Sequence, residues 1–252
     1  SPSPQVSSSA MAAASQDTDF TTTLGADGEM LITGLSAEGE NSRADDNTVI
    51  IPSTIDGTPV TGIADRAFSN LDLESVVFPE TSIQLGEGAF QGNKLTTVTI
   101  NTESIGANAF AQNSITEVTL TGTETIGSEA FRDNQISALN LGDSLTTIGD
   151  RAFMNNKLDT VTFPETLEVI GSEGFSINQI REVTVPNSTT LDSDVFSRNG
   201  SWVKVVTESP TIDTTRYDSG YGHVVNPVTV NVRFVDTDGA DIMTPDIIGD
   251  DL

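Results

Sequence analysis

Ile105-Gly106-Ala107-Asn108-Ala109-Phe110-Ala111-Gln112-Asn113-Ser114-Ile115-Thr116-Glu117-Val118-Thr119-Leu120 is one copy of a pattern that recurs seven times. Its phenylalanines fall at Phe68, Phe90, Phe110, Phe131, Phe153, Phe175 and Phe196, with spacings of 22, 20, 21, 22, 22 and 21. A fixed period in the twenties is the signature of a solenoid whose coils stack and bury one continuous core. The steps from Ile105 to Phe110 and from Phe131 to Ile136 are both five residues. Length varies only between the last apolar position of one copy and the next Ile: seven residues from Phe78 to Leu85, five from Ile100 to Ile105. Insertions collect where chain is exposed, so the constant pieces should line the core and the variable piece should form an outer loop.

Each copy contains an alternating segment such as Leu95-Thr96-Thr97-Val98-Thr99-Ile100, which predicts an extended side with Val and Ile turned inward. Stacked at about 4.8 Å per coil, these sides predict a parallel sheet roughly 30 Å long. The Gly-x-x-Ala-Phe piece, often opened by Ser128, Asp150 or Ser172, suits a short helical or 3-10 turn. Phe fills the coil centre, and the neighbouring Ala stays small so that coils close up. Asn93, Asn113, Asn134, Asn156, Asn178 and Asn199 each follow a Phe by three residues, where an amide can satisfy backbone groups of the turn. The expected fold class is therefore a repeat solenoid, mostly β with short 3-10 or helical turns, with a parallel sheet, an N-terminal β cap and a C-terminal β segment.

The flanks divide the rest. Residues 1–16 are Ser, Ala and Pro without periodicity, as in a disordered segment, and this start is compatible with one beyond a removed signal. Residues 17–62 read as a cap: Phe20, Thr22 and Leu24 alternate, Ala26-Asp27-Gly28 supplies a turn, and Met30 and Ile32 alternate again. An Asp56-Gly57 turn lies between Pro52 and Ile63. The solenoid is assigned to residues 63–206, closing with a strand from Trp202 to Val206. Residues 207–226 are polar and read as a linker, and residues 227–252 open a β module in which Val228, Val230, Val232 and Phe234 alternate.

With 37 acids against 11 bases, the net charge is -26. A polyanion of that size repels phosphate backbones and anionic lipid surfaces, which excludes nucleic acid as an expected partner. No apolar run approaches the ~20 residues of a membrane span. No cysteine is present, hence no disulfide framework or thiolate zinc site. His223 is the chain's one histidine and has no nucleophile beside it, and the carboxylates show no paired arrangement for glycoside hydrolysis. Asp236-Thr237-Asp238-Gly239 misses the EF-hand spacing and reads as a hairpin turn rather than a calcium loop. No catalytic, metal or cofactor site is expected.

Ile105-Gly106-Ala107-Asn108-Ala109-Phe110 and Thr162-Phe163-Pro164-Glu165 resemble the BspA-like class of bacterial leucine-rich repeats, from about Thr48 to Phe196. The resemblance implies a right-handed solenoid. Ala64 and Asp192 replace Gly, Gly174 and Val195 replace Ala, and Asn70 falls one residue early, so the first and last coils are expected to be irregular. Val228-Thr229-Val230-Asn231-Val232-Arg233-Phe234-Val235-Asp236-Thr237-Asp238-Gly239 resembles the opening of a mucin-binding (MucBP) repeat of Gram-positive cell-wall adhesins. Together these resemblances imply a non-catalytic adhesion or ligand-binding module, extracellular and either wall-attached or secreted. Its partner would be a host or matrix protein or a glycan, mucin included; the alternative is a spacer with no ligand.

Outward positions of the extended side form the candidate binding face: Thr97, Thr99, Glu117, Thr119, Asn140, Asp159, Thr160, Thr162, Arg181 and Glu182. Threonine dominates as β-propensity alone would give, and no aromatic is present for sugar stacking. A second candidate is the aromatic patch of Trp202, Arg216, Tyr217 and Tyr221, read either as a seal on the solenoid end or as a contact surface.

Overall fold

A computed structural model describes residues 17–25, 28–42, 47–200 and 203–206, together with short strands at 224–225, 234–235 and 241–243. Its centre is a spine of seven phenylalanines. Ring centroids from Phe68 through Phe175 follow one another at 5.1 to 5.5 Å with interplanar angles of 5° to 13°. All seven rings belong to one buried core, with Ile, Leu and Val of the flanking strands packed round them. Stacking aromatic on aromatic at this separation adds to the area term, since offset parallel rings are a favoured arrangement.

Two sides of the coil carry strands. On the first, two-residue strands end on the Ile of Ile-Gly and pair in parallel: Gln84–Leu85, Ser104–Ile105, Thr125–Ile126, Thr147–Ile148, Val169–Ile170 and Thr190–Leu191. Thr58–Ile63, with Thr54–Ile55 paired antiparallel to it, and the hairpin of Phe20–Leu24 with Met30–Leu35 extend this into a ten-stranded sheet. The backbones approach closely because glycine follows the strand. A Cβ on Gly106, Gly127 or Gly149 would lie 2.6 Å from a backbone atom of the preceding coil. The closing-up assigned to Ala in the sequence thus depends at least as much on Gly. Asp192 stands where this column needs glycine, and the last ring step opens to 6.0 Å and 23°. The last coil is irregular as expected; the first is not, since Phe68 stacks on Phe90 at 5.1 Å.

The second side departs from expectation. The alternating segments form three separate ladders instead of one sheet: Thr48–Ile50 with Ser75–Val77; Thr97–Asn101, Glu117–Thr121 and Ala138–Asn140; and Glu182–Thr184 with Val203–Val206. Five-residue strands occur where Asn101 or Thr121 follows the last inward residue. At the same position the other coils carry Pro79, Pro164, Pro186 or Gly142, whose φ is +70°. Proline has no N–H to give a ladder, and a left-handed glycine turns the chain away.

The turns also differ. The residues two before and two after each spine Phe have φ between +55° and +71°, including Arg66, Glu129, Arg151 and Ile177. A left-handed residue ends any helical run, so the short helices expected in the repeats are absent. Among the described residues only Asp17–Asp19 and Ala37–Ser42 are helical, and both lie in the N-terminal part. Ile177 holds this conformation although β-branched. Its N–H donates to Ser197 C=O and its C=O accepts from Asn156 N–H, one bond to each neighbouring coil strand.

The asparagines cross-link coils. Asn134 Nδ2 donates to Phe110 C=O of the preceding coil at 2.9 Å and to Phe131 C=O of its own at 3.1 Å. Its Oδ1 accepts Ile115 N–H at 3.0 Å. Asn93, Asn113, Asn156, Asn178 and Asn199 repeat the arrangement, all buried. The amide ladder is structural, and it reaches back one coil besides serving its own turn.

Asp56 and Gly57, both left-handed, form the turn joining Thr54–Ile55 to Thr58–Pro59. Beyond the solenoid, Val224–Val225 pairs with Val203–Lys204, which places a strand inside the stretch read as linker. Phe234–Val235 pairs antiparallel with Asp241–Met243, and the Asp-Gly turn expected between them lies outside the described residues.

Candidate functional site

Alternation along the second side sends Val98, Ile100, Val118, Leu120, Val161, Phe163 and Val183 into the core, and the residues between them outward. Thr97, Thr99, Glu117, Asn140, Asp159, Thr160, Thr162, Arg181 and Glu182 are exposed and Thr119 is half-buried. Parallel register brings some of them together: Thr97 lies beside Glu117, and Thr99, Thr119 and Asn140 form one row. Thr160 and Thr162 stand on a coil that joins no ladder, and Glu182 belongs to the next ladder. The candidate face is thus three groups separated by a break. Trp202, Arg216, Tyr217 and Tyr221 lie outside the described residues.

The break is the feature that reading alternation alone misses. No backbone hydrogen bond among the described residues joins 159–163 to 137–141 or to 181–185. Inter-coil bonding is present just before the gap, where Lys157 N–H meets Ile136 C=O and Gln179 N–H meets Leu158 C=O. Past it, Thr166 Oγ1 donates to Leu145 C=O at 2.8 Å. Phe163, like Phe78 against Phe90, leans edge-on against a spine ring, Phe175, with centroids 5.4 Å apart and planes at 72°. Two clefts open on either side of this coil. One, of about 540 Å³, lies between 139–143 and 162–166; its walls are Leu139, Leu141, Phe163 and Pro164, and Asp143 and Glu165 line it too. The other, of about 380 Å³, lies between 160–165 and 182–186. Phe163-Pro164 walls the larger cleft, but the same dipeptide stands at Phe78-Pro79 in a coil that pairs through Ser75–Val77, so the dipeptide alone does not mark a cleft.

Several bases of the solenoid are engaged on the turns, away from this face. Arg151 bonds Glu173 at 2.6 Å and lies 3.7 Å from Glu129. Arg66 pairs with Glu87, and Lys94 with Asp72. The hydrogen bond that Arg151 donates to Glu173, then the charge of Glu173, holds the Arg151 guanidinium above its ordinary range, and Asp72 does the same for Lys94. These pairs are exposed and contribute little to stability. Among the described residues, no group of His, Cys, Asp and Glu is arranged to hold a metal ion. No helix there is long and apolar enough to cross a membrane.

A profile described as the BspA type leucine rich repeat region matches residues 47–120 and 103–217, in six copies. The chain belongs to the BspA-type leucine-rich repeat family. Two solved structures share this fold. A leucine rich cell surface protein from Faecalibacterium prausnitzii aligns with a TM-score of 0.51 at 21% identity, over 83% of this chain and 56% of that one. The pneumococcal vaccine antigen PcpA aligns with a TM-score of 0.52 at 18% identity, over 74% of this chain and 62% of that one. The chain thus spans roughly three-fifths of the length of either structure. A search of curated protein sequences returned no match.

Proposed function

We propose that this chain is a non-catalytic interaction module displayed outside the cell, and that its Val-x-Ile face meets a protein partner. The observation that carries this reading is the contrast within each coil. The spine, the amide ladder and the Ile-Gly sheet are saturated with internal contacts, whereas the Val-x-Ile face leaves side chains and backbone groups open. The F. prausnitzii structure is described as a cell surface protein, which supports display on a wall or in secreted form. A matrix or host protein fits better than a glycan, because the described outward positions hold no aromatic for sugar stacking. A mucin partner rests on the resemblance of residues 227–252 to a MucBP repeat. The stiffness of the stack favours a second reading, a spacer that holds neighbouring modules apart.

Both readings are tested by binding the immobilised chain to a panel of matrix proteins and mucin. Thr97→Lys/Thr119→Lys/Thr160→Lys changes the face, and Ser104→Lys/Thr125→Lys/Thr147→Lys makes the same charge change on the Ile-Gly side. A loss of about tenfold or more in the first variant alone supports the face. Equal losses in both, or no binder in the panel, support the spacer.

A further inference from the structure

We infer that the break at residues 159–163 is the docking point of the face, and that it takes an arginine- or lysine-bearing extended segment of a partner protein. The inference rests on the face being the contact surface, and it names the chemistry of what is bound.

Three observations converge on one place. First, the backbone groups of 159–163 and the facing edges of Ala138–Asn140 and Glu182–Thr184 are not spent on one another. The coils leave no room for a strand between them, so these groups stay as polar backbone beside the cleft, where a segment lying over its mouth can meet them. Second, the larger cleft has the shape of chemistry that a long cationic side chain needs. Leu139, Leu141, Phe163 and Pro164 give an apolar wall for the methylene stem, while Asp143 and Glu165 are exposed carboxylates for the head. A guanidinium or ammonium is a donor only and the two carboxylates accept only, so head and cleft match. Third, the chain's net charge of -26 steers cations toward it from a distance, and the cleft gives that attraction a fixed address. Ring stacking in the coil centre stays tight across this coil, with Phe131, Phe153 and Phe175 separated by 5.2 and 5.1 Å. Adjacent coils are therefore held near single-strand spacing. The partner strand lies across the mouth of the cleft, and its side chain enters.

The probe is a short fluorescein-labelled peptide of alternating arginine and threonine, titrated into the full chain at low salt and at about 0.15 M salt. Asp143→Asn/Glu165→Gln removes the two carboxylates at the cleft. Glu103→Gln/Glu124→Gln removes the same charge from the Ile-Gly side. Peptide affinity is expected to fall about tenfold in the first variant and less than about twofold in the second. Amide resonances of 138–143 and 160–166 should move on binding. Phe163→Ile/Pro164→Thr, which removes the ring and the proline that wall the cleft, should abolish the footprint while the protein still melts cooperatively.

Equal losses in both charge variants would mean diffuse attraction to a polyanion and would overturn the proposal. So would a footprint elsewhere, or binding that vanishes at physiological salt. If the face-lysine variant loses its protein partner while the peptide footprint misses the cleft, the face reading stands and this one falls. If the peptide binds in the cleft but no face variant disturbs any partner, the cleft stands and the broader face does not.

Discussion

Along the Ile-Gly side, two-residue strands pair from coil to coil without interruption as far as Thr190–Leu191, whereas along the Val-x-Ile side the same chain, at the same period, falls into three ladders. The strands that pair throughout are the shorter ones. Length and β-propensity therefore do not decide continuity here. What decides it is whether backbone can approach backbone. Glycine at Gly86, Gly106, Gly127, Gly149 and Gly171 permits that on one side. On the other, the ladders stop at coils with proline or left-handed glycine after the last inward residue, and the strands of such coils, Ser75–Val77, Ala138–Asn140 and Glu182–Thr184, are short and pair on one side alone. Continuity serves the scaffold, and interruption supplies the open groups from which a site can be built.

The largest expected effect is on what both sides share. Phe131→Ala removes a fully buried ring stacked on two others and should lower stability by about 3–5 kcal/mol in denaturant melts. Phe163→Ala, on the broken side, should cost clearly less, because its ring is edge-on to the spine. Equal costs would erase the distinction between spine and break. Gly127→Val tests the continuous side alone: a Cβ there meets the Ala107 amide nitrogen at 2.6 Å. A loss of about 1–3 kcal/mol is expected, with weakened exchange protection of the Ile126 and Ile148 amides.

Thr123→Val should act in the opposite direction. Its Oγ1 is buried without a partner, unlike Thr102, which donates to Ser104 C=O at 2.8 Å. Removing the orphan hydroxyl should raise stability by about 1 kcal/mol, whereas Thr102→Val should lower it. The smallest change in stability, and the most direct comparison of the two sides, belongs to Phe163→Ile/Pro164→Thr. Hydrogen exchange at Thr160 and Thr162 should slow as the coil gains ladder bonds, with a melting midpoint close to that of the unaltered chain. Unchanged exchange would show that the break has another cause.

Much of this was legible in the residues. The spacing of Phe68 to Phe196 locates the spine, because a ring is the one side chain that plugs a coil of this size. Asn134 and its counterparts are readable because a buried amide must bond to something. The inward and outward sets follow from alternation at Val98-Thr99-Ile100. Other features resisted reading for physical reasons. Arg66, Glu129 and Ile177 take left-handed φ because bonds to adjacent coils demand it, so no local propensity announces them. The role of Gly127 as a place of contact is visible only once the next coil is laid against it. The outward positions could be read one by one, but the division of the ladders could not, since it depends on how each coil lies against the next.

The widened step at Asp192 has a mechanical meaning. The polypeptide enters the stack at one end and leaves at the other, so tension applied through its termini detaches end coils in turn instead of loading every rung at once. The coil behind Asp192 sets its ring farther from its neighbour than any other step of the spine, so a pulled chain is expected to begin unspooling there, one period at a time, while the aromatic column ahead of it still holds.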